Sequence, residues 1–111
     1  MGLLYPFSEA TTETLSATGS QAIAIANNMT ILDGVTTIAT GNRTIDLTID
    51  DEINAGAKLF LKAKTTATET TIFGTNIDSA TITGVAGKTF CQEFTYDGTT
   101  FLPTGTAVQI D

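Results

Sequence analysis

Gln92-Glu93-Phe94-Thr95-Tyr96-Asp97-Gly98-Thr99-Thr100-Phe101 reads as a strand, a tight turn and the start of a returning strand. Phe90, Gln92, Phe94 and Tyr96 share one parity, so a pleated backbone puts three aromatic rings on one face. Asp97 and Gly98 both tolerate the positive φ that a hairpin turn demands, and Pro103, which lacks an N–H, ends the return.

The same grammar extends upstream. Thr70 to Phe73 and Ala80 to Thr83 are short, Thr-rich and punctuated by Gly74, Gly84 and Gly87. Ile45, Leu47 and Ile49 alternate strictly with Thr44, Asp46, Thr48 and Asp50, the pattern of a half-buried strand. After the polar loop 50–56, Leu59, Leu61 and Ala63 lie on one face of a segment, and Lys58, Lys62 and Lys64 lie on the other with Phe60 among them. If these two strands pair, Asp46 and Asp50 would sit across from Lys58 and Lys62, each pair contributing about 0.2–1 kcal/mol. Phe60 is then either one ring on a solvated stripe or the anchor of a subunit contact.

Nearer the start, Ile23 and Ile25 share a parity, Asp33-Gly34 reads as a hairpin and Gly41-Asn42 as a further turn. Residues 9–17 carry a weak helical pattern among their threonines. Turn signals at roughly ten-residue spacing predict an all-β fold of about eight short strands: an antiparallel β-sandwich, jelly roll or small barrel. An N-terminal arm is expected over residues 1–20 and a single β domain over 21–111. Leu3, Leu4, Tyr5 and Phe7, four large apolar side chains in five positions, are expected to dock on another surface.

Composition agrees with one domain. The 111 residues are 41% hydrophobic and 15% charged, and about two dozen are Thr, a bias toward strands. A net charge of −7 argues against nucleic acid and anionic membranes as partners, because both select Lys/Arg patches. Lys58, Lys62, Lys64 and Lys88 all follow residue 57, whereas Arg43 is the only cation before it, an asymmetry suited to subunits that meet through unlike faces.

Catalytic chemistry finds few parts. There is no His, the usual general base and zinc ligand, and Cys91 is alone, without a base to activate it or a partner for a disulfide. Asp50, Asp51, Glu52 and Asn54 crowd oxygens before Gly56, but counting from Asp50 puts Ala55 and Leu61 where a calcium loop needs Gly and Glu. No Trp is present for stacking sugars beside a carboxylate pair. Asn28-Met29-Thr30 and Asn42-Arg43-Thr44 match glycosylation sequons at the frequency that chance gives in so Thr-rich a chain. Neither a signal-peptide pattern nor a membrane-length apolar run is found. The expectation is a protein that is not an enzyme and carries no cofactor or metal.

The order of segments over residues 44–103 resembles a small β module of tailed-phage structural proteins, found in head fibres, tail fibres and capsid decoration proteins. The pieces that carry the resemblance are Thr44-Ile45-Asp46-Leu47-Thr48-Ile49, the Lys-rich strand 58–64, the Thr-rich strand 70–73, Ile82-Thr83-Gly84 and the close Phe94-Thr95-Tyr96-Asp97-Gly98-Thr99-Thr100-Phe101. Where such modules often place Trp after the last turn, this chain has Phe101. The resemblance implies a homotrimeric component of the virion. At this length it implies a capsid decoration protein that binds the major capsid protein on the outer shell, made in the bacterial host cytoplasm. Leu3, Leu4, Tyr5 and Phe7, with Phe60, are the expected capsid or subunit contacts. The alternative is a head- or tail-fibre module or receptor-binding domain that recognises host-surface glycan or protein through Phe60, Tyr96 and Phe101, against the plainer reading that these three rings are core or trimer-axis residues.

Overall fold

The computed structural model describes residues 10–111. Ten strands run through them: β1 (Thr11–Thr14), β2 (Gly19–Ile25), β3 (Met29–Ala39), β4 (Arg43–Ile49), β5 (Lys58–Thr65), β6 (Thr70–Phe73), β7 (Ile82–Thr83), β8 (Thr89–Tyr96), β9 (Phe101–Pro103) and β10 (Val108–Gln109). No helix forms among them; residues 11–14, inside the weak helical pattern, are strand.

The strands divide into two mixed sheets. The first has the order β1-β3-β5-β8-β10, with β9 also on β8, and the second has the order β2-β4-β6-β7. The antiparallel expectation is therefore corrected. Strands β1/β3, β3/β5, β2/β4 and β4/β6 are all parallel, and only β7, β8, β9 and β10 run against their neighbours. From β1 to β6 the chain lays one strand in each sheet alternately and stacks each on the strand two before it, as in the winding of a β-solenoid. Parallel neighbours need a long crossover, and here every crossover is itself a strand of the opposite sheet. Neither sheet closes into a barrel.

This topology separates strands that adjoin in sequence. The strand at 43–49 and the Lys-rich strand lie in different sheets, so Asp46 and Asp50 do not face Lys58 and Lys62 across a ladder. Of the arm expected over 1–20, residues 1–9 lie outside the described residues, Thr11–Thr14 pair with β3, and Gly19 and Ser20 pair with Arg43 and Thr44.

Period-two alternation sorts each strand between core and surface. In β5, Leu59, Leu61 and Ala63 are buried while Lys58, Phe60, Lys62 and Lys64 are half-exposed. Inward side chains from both sheets form one core: Ile23, Ile25, Ile45 and Leu47 from the second meet Leu32, Leu59, Leu61 and Phe94 from the first. Each fully buried aliphatic side chain contributes about 1.5–3 kcal/mol. Phe73 of β6 and Phe94 of β8 bridge the sheets with ring centroids 5.3 Å apart at 57°.

Asp33-Gly34 does not turn the chain. Both residues lie inside β3, and register with β5 shifts between Gly34 and Ala39, so residues 35–38 bulge out of the ladder. Asp33 holds the bulge: its Oδ1 accepts N–H bonds from Val35 (2.9 Å) and Thr36 (3.1 Å), and its Oδ2 accepts the Thr36 hydroxyl (2.6 Å).

Gly34 is needed for a close approach, since an added Cβ would stand 2.6 Å from Arg43 Nη2 and 2.8 Å from the Lys62 carbonyl oxygen. Arg43 is 2% exposed. Its Nη1 donates to the carbonyls of Ser16 (3.2 Å) and Thr37 (3.3 Å), and its Nη2 to those of Gly34 (3.1 Å) and Lys64 (3.3 Å). Ser16 follows β1, Gly34 and Thr37 are in β3, and Lys64 is in β5, so a single guanidinium ties three successive levels of the stack. Burial pushes the Arg43 guanidinium down, while Asp33 and then Glu69 draw it back up. Its Nε is buried without a partner among the described residues.

Candidate functional site

The outer face of the first sheet is the candidate interaction surface. Three rows cross it in register: Met29, Lys58 and Thr95; Ile31, Phe60 and Glu93; Asp33, Lys62 and Cys91. Phe60 is directed outward because its neighbours Leu59 and Leu61 point into the core, and the strands on either side leave it half-buried beside Ile31. Lys58 is held by the sheet, its Nζ donating to Thr95 Oγ1 at 2.9 Å.

Two hollows flank this ridge. One of about 250 Å³ lies against Phe60, Cys91, Glu93, Thr104, Thr106 and Val108. The other, about 380 Å³, is lined among the described residues by Ala10, Met29, Lys58 and Glu93. Beyond them the sheet ends at β10 with Val108 57% exposed and Ile110, just after it, 62% exposed. Burial raises the Cys91 thiol above its ordinary range despite Lys62.

The β8–β9 hairpin stands as expected from its turn. Phe94, Thr95 and Tyr96 pair with Pro103, Leu102 and Phe101. Asp97 Oδ1 accepts the N–H groups of Thr99 and Thr100, both at 2.8 Å, and Gly98 takes φ 101°. The Tyr96 hydroxyl donates to the Gly98 carbonyl at 3.0 Å, and its ring rests on Phe101, centroids 5.0 Å apart at 31°. Phe101 is fully buried. An aromatic contact set of Phe60, Tyr96 and Phe101 is thus not assembled: Phe60 is on the outer face of β5, and the Phe101 ring belongs to the core.

The carboxylates with displaced titration are used inside the fold. The Thr36 hydroxyl, followed by the Val35 and Thr36 N–H groups, lowers Asp33 to about 2. Backbone N–H groups of Thr100 and Thr99 lower Asp97, the N–H of Thr89 lowers Asp111, and the N–H of Ala67 with the Thr66 hydroxyl lowers Glu69. No group of three or more His, Cys, Asp or Glu among the described residues is placed to hold a metal ion. No helix there is long and apolar enough to cross a membrane.

Of the residues singled out from sequence, Leu3, Leu4, Tyr5 and Phe7 lie outside the described residues, and Phe60 takes an outward place on the central strand of the larger sheet. Sequence reasoning missed the Arg43 clasp. The signal was a lone arginine among 57 residues with a glycine nine positions before it, which no local pattern connects. No family model, curated protein or solved structure matches the chain.

Proposed function

We propose that this chain is a structural virion protein of a tailed phage, a decoration protein that binds the major capsid protein on the outer shell and stabilises it. The observation that carries the proposal is where the shifted carboxylates spend their hydrogen bonds. Asp33, Asp97, Asp111 and Glu69 all accept from the protein's own backbone or threonine hydroxyls, which is the work of a rigid building block. The reading includes a two-sheet sandwich module with an N-terminal arm, no enzymatic activity and no cofactor.

On this reading the chain is made in the host cytoplasm and ends on the capsid exterior. Attachment is mechanical. Apolar contacts from Leu3, Leu4, Tyr5 and Phe7, and from Phe60 on the outer sheet face, are individually weak; several copies per assembly convert them into slow release. The homotrimer implied by the resemblance is one assembly that satisfies this requirement. The alternative of a fibre module that reads glycan through three exposed aromatics is weakened by the burial of Phe101.

The test is co-sedimentation of the purified chain with capsids of the source phage stripped of their surface proteins. The full chain is expected to saturate the shell, and a chain lacking residues 1–7 is expected to fold but leave the shell bare. Equal occupancy by both removes the arm from the mechanism, and no occupancy by either overturns the reading.

A further inference from the structure

The two ends of the strand stack differ in how their edges are finished. At the far end the edges are short or broken: β7 has two residues, β10 two, and β9 three with Pro103 last. At the near end β1 has four residues and carries Glu13. Strand β2 is different. It runs seven residues, Gly19-Ser20-Gln21-Ala22-Ile23-Ala24-Ile25, with no charge, no proline and an unbroken register on β4, and among the described residues no strand pairs with its other side. Natural sheets protect such edges with lysine, proline, bulges or brevity, and β2 has none of these.

The backbone phase of that edge follows from its partner. Gly19 N–H donates to the Asn42 carbonyl and Asp50 N–H donates to the Ile25 carbonyl, so odd-numbered residues of β2 direct their groups toward β4. Ser20, Ala22 and Ala24 therefore direct N–H and C=O outward. Their side chains are exposed and small, with no bulk to keep a neighbouring strand away, while Ile23 and Ile25 are 2% and 1% exposed beneath.

We propose that a second copy of this chain pairs antiparallel with β2 across a two-fold axis, joining two four-stranded sheets into one continuous sheet. Identical edges are self-complementary under two-fold symmetry, so every outward donor meets an outward acceptor. Charge favours this contact over others. The copies carry −7 each and repel, and an uncharged edge is where they approach at least cost. The inference does not rest on the capsid reading and concerns only how copies meet.

Light scattering on the full chain after size exclusion is expected to give twice the 11.6 kDa chain mass. Ala22→Pro removes an outward N–H without removing a bond to β4, and is expected to give a monomer with the wild-type circular dichroism spectrum. A folded Ala22→Pro protein that stays dimeric overturns the proposal, as does a monomeric wild type. A three-chain mass also overturns it while leaving the virion reading standing. Should Ala22→Pro fail to fold, hydrogen exchange on the wild type decides: the Ser20, Ala22 and Ala24 amides are expected to exchange at least about tenfold more slowly in the dimer than after dilution to monomer. Exchange at the rate of open amides in the dimer, or protection that persists in a monomer, overturns it.

Discussion

In the first six strands each parallel neighbour lies far along the chain, Thr11 beside Thr30, Met29 beside Lys58 and Gly19 beside Arg43, whereas in the closing hairpin Tyr96 meets Phe101 across a single turn. The hairpin sets its own register through Asp97 and Gly98, because a short loop leaves few ways to pair its ends. The stacked region has no such local device. Its strands are aligned by the shared core and by one buried arginine that donates to carbonyls on three levels. Non-local register is held by packing between distant segments and a buried clasp, and local register by the turn that joins the two strands.

That contrast is open to breakage, and the largest effect is expected at the clasp. Arg43→Met leaves the carbonyls of Ser16, Gly34, Thr37 and Lys64 without their shared donor inside the protein, and is expected to cost about 3–5 kcal/mol in urea unfolding. A loss below about 1 kcal/mol would move alignment of the stack to the apolar core alone.

Gly34→Ala comes next. Its Cβ would press on Arg43 Nη2 and on the Lys62 carbonyl oxygen, and the expected loss is about 1–3 kcal/mol in the same measurement. The double variant with Arg43→Met should lose less than the sum, since one contact is counted in both.

Asp33 tests the bulge through pH. Its folded carboxyl sits at about 2 against an ordinary 3.8, so the stability it adds is fully present above about 3.8 and is lost as pH falls toward 2. Asp33→Ala is expected to cost about 1–2 kcal/mol at neutral pH and to flatten this part of the acid unfolding curve. An unchanged acid limb in the variant would place the acid sensitivity elsewhere.

The smallest effect is expected in the hairpin. Gly98 holds φ 101°, a conformation that L side chains rarely adopt, and Gly98→Ala is expected to cost about 1 kcal/mol and to perturb β8 and β9 while leaving the stack intact. Residue-resolved hydrogen exchange checks this: increased exchange confined to residues 94–103 keeps the two regions separable, and increased exchange throughout β1 to β6 would join them.

Much of the local pattern was legible in the sequence. The alternation at 44–49 and 58–64, the turn at Asp97-Gly98 and the stop at Pro103 all appear where the residues put them. Phe60 on the Lys-bearing face was likewise readable from parity. Partners were not. Lys58 and Asp46 alternate on strands adjacent in sequence, yet those strands enter different sheets.

Asp33-Gly34 shows the same limit from the other side. The pair has the composition of a turn, and by itself it decides only that the backbone there is permissive. The tertiary structure used the missing Cβ of Gly34, not a positive φ, to pass the Arg43 side chain, with Asp33 binding its own next residues. What the sequence by itself determined was an all-β chain, the faces of its strands and one closing hairpin, because these depend on a period of two and on turn chemistry within a few residues. What only the tertiary structure decided was the parallel stacking, the bulge in β3 and the buried clasp, because each depends on which distant segment packs alongside, and side-chain parity carries no record of that.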